Sequence, residues 1–241
     1  TYISGNNHGG MAKVNGKWYF FGHRQTNAGN ASRQAIIGQI GVGTAEDGSP
    51  VITPMEFTSC GAADSMDAFS TWNANSTTYL LEAIDHPAPS TEGDNVHSDC
   101  LANGPYIVAD RDQDAVHTTC VTNLKDNNIV GYKYLDFGEV GNASLNMLVS
   151  QKTDCADGSV DIYLDAPSED QGGILAGTLE LTADAVENAQ NKEDGSDGTS
   201  WSWLTTDLQQ EISGVHAVYF VFHGDGDKMI CSFDQFRFER K

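Results

Sequence analysis

Positive charge is scarce in this sequence: 13 lysines and arginines stand against 34 aspartates and glutamates, for a formal net charge of −21. A chain this acidic has no basic surface to offer a nucleic acid or an anionic membrane, which excludes both as partners and leaves neutral ligands and cations. Long apolar runs are missing too. Nothing approaches the roughly 20 consecutive apolar residues of a membrane helix. The opening Thr1-Tyr2-Ile3-Ser4 lacks the basic-then-apolar pattern of an export signal, which places any such signal upstream or removed. The cysteines, Cys60, Cys100, Cys120, Cys155 and Cys231, have no zinc-motif spacing, and their odd number leaves at least one outside any disulfide within the monomer. Helical periodicity is rare.

What the chain does have is short apolar runs rich in β-branched and aromatic residues, punctuated by Gly, Asn and Asp, which read as strands. With 39% hydrophobic and 9% aromatic residues the composition is that of a folded chain despite the charge. Sequons at Asn30, Asn75 and Asn142 agree with export.

Four candidate strands come first, at Gly10 to Val14, Lys17 to His23, Arg33 to Val42 and Val51 to Phe57. The first two are joined by Asn15-Gly16, which favours a type I′ hairpin because both central positions need positive φ. An up-and-down set of four antiparallel strands in under sixty residues matches one propeller blade, and an independent meander would read the same way. The run Trp18-Tyr19-Phe20-Phe21 predicts an inner strand covered on both sides, hence partner blades outside this chain. Residues 58–115 form a Ser, Asn, Asp and Pro-rich connector, with strands predicted at Thr78 to Ile84 and Pro105 to Val108. Seven further strands follow, at Ile129 to Phe137, Leu145 to Gln151, Ser159 to Asp165, Gly177 to Leu181, Trp203 to Asp207, His216 to His223 and Ile230 to Glu239. That count suits a β-sandwich or jelly roll over 116–241. The acidic insert Ala183 to Thr199 reads as a solvated loop with one helical turn. The fold class is therefore all-β, with a four-stranded blade over 1–57 followed by a sandwich.

The first quarter carries Asn6-Asn7-His8-Gly9, then Asn15-Gly16-Lys17-Trp18-Tyr19, then His23-Arg24, then Ser32-Arg33-Gln34. In that order these resemble the last blade of glycoside hydrolase family 43, a five-bladed β-propeller family. The second half carries Gly131-Tyr132-Lys133-Tyr134-Leu135-Asp136-Phe137, Ser159-Val160-Asp161-Ile162-Tyr163-Leu164-Asp165, Ser213-Gly214-Val215-His216 and Phe233-Asp234-Gln235-Phe236-Arg237-Phe238. It resembles the family 6 carbohydrate-binding modules found behind such hydrolases. The double resemblance implies the C-terminal part of a secreted, inverting enzyme of the α-L-arabinofuranosidase or β-xylosidase type. Its partner is plant cell-wall polysaccharide, xylan or arabinoxylan. The alternative is a non-catalytic carbohydrate-binding or structural β-sandwich protein.

An inverting glycosidase needs two carboxyl groups flanking a water, and the family supplies them from blades preceding the matched segment, so no residue here is assigned a catalytic role. The resemblance places His8 toward the central channel near a metal, commonly calcium; from its residue type alone it is a turn histidine capping backbone groups. Arg24 matches a substrate-facing arginine whose planar fork pairs with sugar hydroxyls, or it is a charge on an edge strand. Trp201 and Trp203 alternate about Ser202, so they point the same way, as stacking platforms for pyranose faces or as core. Tyr132 and Tyr134 alternate likewise and read as core. Asp234 matches a position that helps hold a structural calcium in family 6, with Asp110 to Asp114 as the source of a second carboxylate. Cys231-Ser232 stands where that family often has an asparagine.

Overall fold

The computed structural model describes residues 8–27, 32–81, 104–109 and 115–241. The architecture is all-β. The blade begins with β1 (Gly10–Val14) and β2 (Lys17–Thr26). They are joined at Asn15 (φ 48°) and Gly16 (φ 84°), the positive pair that a type I′ turn demands. β3 (Ser32–Ile40) lies on the other side of β2, so the aromatic run occupies the central strand of the antiparallel sheet β1-β2-β3. The next stretch departs from the strand boundaries expected of it. The ladder stops at Gly41, and β4 (Val42–Thr44) folds onto β5 (Pro50–Ile52) as a separate small hairpin. Its tip is the tight turn in which Ala45 N–H donates to Ser49 (2.8 Å) and Gly48 takes φ 85°. The chain returns to the blade at Thr58, which bridges Ile37 in the fourth position.

The sandwich consists of two sheets. One holds β11 (Ile129–Asp136), β13 (Gly158–Leu164), β14 (Ile174–Leu181) and β17 (Val215–Gly224), in the order β14-β13-β17-β11. The other holds β10 (Cys120–Leu124), β12 (Ala143–Ser150), β15 (Lys192–Asp194), β16 (Ser200–Asp207) and β18 (Cys231–Arg240), in the order β15-β16-β12-β18-β10. All seven strands anticipated in this half are present. β10 and β15 are strands beyond those anticipated. The acidic insert holds the short helix α1 (Ala183–Glu187), capped by the Thr182 side chain accepting from Ala185 N–H.

The connector segments complete both sheets. β6 (Met66–Asp67) runs parallel to the end of β11, and β8 (Tyr79–Leu81) lies antiparallel to its start. β7 (Trp72–Asn73) pairs with β18, and β9 (Tyr106–Val108) with β10. The part of the predicted strand Thr78 to Ile84 beyond Leu81 lies outside the described residues. Gly131 matters here, because a Cβ at that position would sit 2.8 Å from the Tyr219 ring and 3.2 Å from the Tyr79 Cβ. Its absence lets β8 close on β11.

Between the sheets the inward residues of each strand alternate with outward ones, as burial on one face requires. Tyr132, Phe220, Phe233, Phe236 and Phe238 form an aromatic centre, all fully buried. The Tyr132 and Phe236 rings lie 4.5 Å apart, and Phe220 meets Phe236 edge-on at 5.4 Å, the tilted geometries that ring quadrupoles favour. The Tyr132 hydroxyl donates to Ala74 O (2.8 Å), so its one polar group is satisfied in the core.

Candidate functional site

On the outer face of the second sheet β12 is buried even on the side turned away from the core. A smaller apolar cluster of Cys120, Leu148 and Trp201 accounts for this, with Trp203 packed at its edge. Trp201 and Trp203 do share a face, as their spacing predicts. Their environments differ. Trp201 is 2% exposed and lies beside the His117 ring at 6.0 Å; a fully covered indole cannot stack on a sugar, so Trp201 is corrected from platform to core. Trp203 is half-buried, opposite Leu148 on the neighbouring strand. Its indole N–H donates to Glu193 Oε1 (2.5 Å), and the Arg237 guanidinium lies 4.8 Å from its ring centre. The result is a half-buried indole whose N–H is tied to a carboxylate and whose ring lies beside a guanidinium.

Beneath this indole lies a relay of hydrogen-bonded side chains whose inner pair is buried. Asp234 is 3% exposed, and its Oδ2 is 2.5 Å from His117 Nδ1. His117 Nε2 in turn lies 2.9 Å from Glu193 Oε2. Through these two contacts the imidazole ties the segment before β10 to β18 and β15. Burial pushes the Asp234 carboxyl up, with the His117 hydrogen bond opposing it. Glu193 is held below the usual carboxylate range, chiefly by the Trp203 N–H, with burial opposing. The acidic insert is thus more than a solvated loop, since its Glu193 carboxylate joins the relay to the Trp203 indole.

The residues around Asp234 do not fit calcium. That cation takes about six to eight oxygen ligands, whereas the Asp234 oxygen faces an imidazole nitrogen and Glu193 faces the other nitrogen of the same ring. Among the described residues no group of three or more His, Cys, Asp or Glu side chains is placed to hold a metal ion. The candidate carboxylates at Asp110 to Asp114 lie outside the described residues.

The two blade residues occupy other surroundings. His8 is exposed at the start of the blade, its ring 6.0 Å from that of His23. Arg24 does not present its fork to an open cleft. Nε donates to Gln34 Oε1 (2.7 Å), Nη1 to Thr77 O (2.6 Å) and Nη2 to Asn75 O. Five donors in a rigid fork suit a set of converging carbonyls as well as sugar hydroxyls, and here they clamp the blade to the turn before β8. The expected substrate contact is corrected to a structural one.

A second polar constellation sits where blade and sandwich meet, and sequence reasoning missed it. The ladder between β11 and β17 shifts register between Tyr132 and Leu135, so Tyr134 leaves the alternation that buries Tyr132 and stands 39% exposed. That overturns its reading as core. Glu56 accepts from Lys133 Nζ (2.5 Å) and Tyr79 OH (2.7 Å) through Oε1, and from Tyr134 OH (3.3 Å) through Oε2. Burial would raise the Glu56 carboxyl, but the hydrogen bonds from Lys133 and Tyr79 outweigh it and hold the group low. The Tyr79 phenol is pushed up to about 12 by burial and by the Glu56 contact.

Comparison with known proteins follows the same division. A xylosidase/arabinosidase of Thermoclostridium stercorarium is 27% identical over 237 residues, covering 96% of this chain and 42% of that protein. A family 43 arabinoxylan arabinofuranohydrolase from Bacillus subtilis, solved in complex with cellotetraose, superposes with a TM-score of 0.52 at 21% identity. That match covers 99% of this chain and 42% of the other, and it shares the all-β fold of blade and sandwich. The chain spans about two fifths of the length of both. The family description "Carbohydrate binding module (family 6)" matches residues 100–240. With more than half its length under that match, the chain belongs to carbohydrate-binding module family 6.

Proposed function

We propose that this chain is the polysaccharide-holding part of a secreted family 43 glycoside hydrolase of the inverting α-L-arabinofuranosidase or β-xylosidase type. Its substrate is arabinoxylan or a related hemicellulose, and the chain contributes grip and scaffold. The observation that carries the reading is the family 6 match over 100–240 behind a blade-like sheet. The names of the two relatives support it, one a xylosidase/arabinosidase and the other an arabinoxylan arabinofuranohydrolase. The half-exposed Met11 and Phe21 on the blade call for further blades to cover them. Those blades, and the carboxylate pair they bring, are the remaining partners.

Trp203 is the contact in this reading. It offers the apolar ring, while Arg237 and Glu193 offer donors and acceptors to hydroxyls. Affinity electrophoresis in arabinoxylan should retard the wild-type chain, and Trp203→Ala should weaken retention by about tenfold, as truncation of an anchoring aromatic does. The chain alone should release neither arabinose nor xylose; release would refute the placement of the acid and base in other blades. A structural reading has two observations in its favour, the burial of Trp201 and the use of Arg24 as a clamp. Absence of any retention of the wild-type chain would select it.

A further inference from the structure

We propose that the cleft between blade and sandwich is a second sugar subsite, for a neutral oligosaccharide, with Tyr134 as its stacking platform. The inference deepens the carbohydrate-binding reading and rests on it. The cleft encloses about 450 Å³ between Tyr19, Ile37 and Met55 on the blade side and Tyr79, Lys133 and Tyr134 on the sandwich side. That volume is within the range of small-ligand sites, which run from about 300 to 1,000 Å³.

The chemistry of the lining selects the ligand. Glu56 pairs with Lys133 at 2.5 Å, and Asp64, also in the lining, pairs with Lys17 at 2.9 Å, so the charges balance and favour neither an anion nor a cation. The floor does offer a carboxylate oxygen, an ammonium group and the two phenols of Tyr79 and Tyr134 within one hydrogen-bonded array, the set of donors and acceptors that neighbouring hydroxyls of a sugar require. The array is already fixed. Lys133 Nζ lies 5.0 Å from the Tyr79 ring centre and 5.6 Å from that of Tyr134, and Glu56 holds the hydroxyls of both rings. Fixed side chains lose little further freedom on binding. Tyr134 is the exposed ring among them, standing out because of the register shift in β11. An exposed aromatic over a pre-ordered polar floor has the make-up of a pyranose site, in which C–H groups meet the ring and hydroxyls meet the floor. The site needs both halves of the chain, because Glu56 comes from the blade segment just before the Thr58 bridge and Lys133 from the sandwich.

The test is isothermal titration of the full chain with xylohexaose, for wild type, Tyr134→Ala, Glu56→Gln and Trp203→Ala. Thermal unfolding is measured alongside to confirm folding. Tyr134→Ala should lower the fitted stoichiometry from about two sites per folded chain to about one, and Glu56→Gln should weaken the subsite by about three- to tenfold. Trp203→Ala should leave a residual affinity that Tyr134→Ala then removes. Unchanged affinity in Tyr134→Ala, in both the wild-type and Trp203→Ala backgrounds, would overturn this subsite and leave the Trp203 reading standing. The reverse pattern, loss with Tyr134→Ala and none with Trp203→Ala, would support the subsite and overturn the role given to Trp203. No binding by the wild-type chain would overturn both.

Discussion

Replacing His117 by alanine should destabilise the sandwich by about 3–5 kcal/mol, the usual consequence of leaving a buried carboxylate without its partner. For a chain of this size that is a fall in Tm of roughly 6–20 °C. Asp234 is the reason. Its side chain is 4% exposed, as is that of His117, so water cannot take the place of the imidazole. Glu193 offers the contrast, because its side chain is 47% exposed and Glu193→Gln should cost no more than about 1 kcal/mol, as for an exposed ion pair. Adding Asp234→Asn to His117→Ala should recover part of the loss, since an amide is cheaper to bury unpaired than a carboxylate. Calorimetry of the four proteins decides the matter. Equal losses for His117→Ala and Glu193→Gln would mean that the relay is not buried in solution.

Phe236→Ala should cost a comparable amount, about 3–5 kcal/mol, through a different mechanism. Phe236 is fully buried at the meeting point of the two sheets, with ring centres of Tyr132, Phe220, Phe233 and Phe238 at 4.5, 5.4, 6.1 and 6.4 Å. Four rigid rings cannot collapse into the space a fifth vacates, so both transfer free energy and cavity terms are lost. Phe21→Ala is the control. That residue is 44% exposed in this chain, and its removal should shift stability by no more than about 0.5 kcal/mol. Urea unfolding should show a lower midpoint for Phe236→Ala at an unchanged slope. A midpoint equal to that of Phe21→Ala would contradict the aromatic centre.

The strands of the sandwich were legible because each is long enough to show a run of apolar or alternating residues and is bounded by Gly, Asn or Asp. β11, β13, β17 and β18 fall within one or two residues of their expected limits. The hairpin at Asn15-Gly16 was legible for a sharper reason, since its two positive φ angles are demanded by chemistry local to the dipeptide. Val51 to Phe57 was misread because a strand's partner is not a local property. The same β-prone residues pair with β4 instead of β3 once the turn at 45–49 closes.

The site residues divide along the same line. Periodicity correctly set Trp201 and Trp203 on one face, but the exposure of each depends on what covers that face. The His117 ring lies beside Trp201 and leaves Trp203, two residues further along β16, half-exposed. Tyr132 and Tyr134 have identical spacing, yet a register shift in the ladder with β17 separates their fates. Arg24 has the fork that the family resemblance credits with sugar binding, and the turn before β8 supplies carbonyls that use it first.

By itself, then, the sequence determined the strand-rich class, the seven long strands of the sandwich and the I′ turn, because each follows from composition or from neighbours within a few residues. Tertiary structure alone decided that Asp234 meets His117, 117 positions away, that Glu193 links that pair to Trp203, and that Glu56 meets Lys133 across 77 positions. Such contacts are set by how two sheets and a connector close on one another. No spacing along the chain encodes that closure.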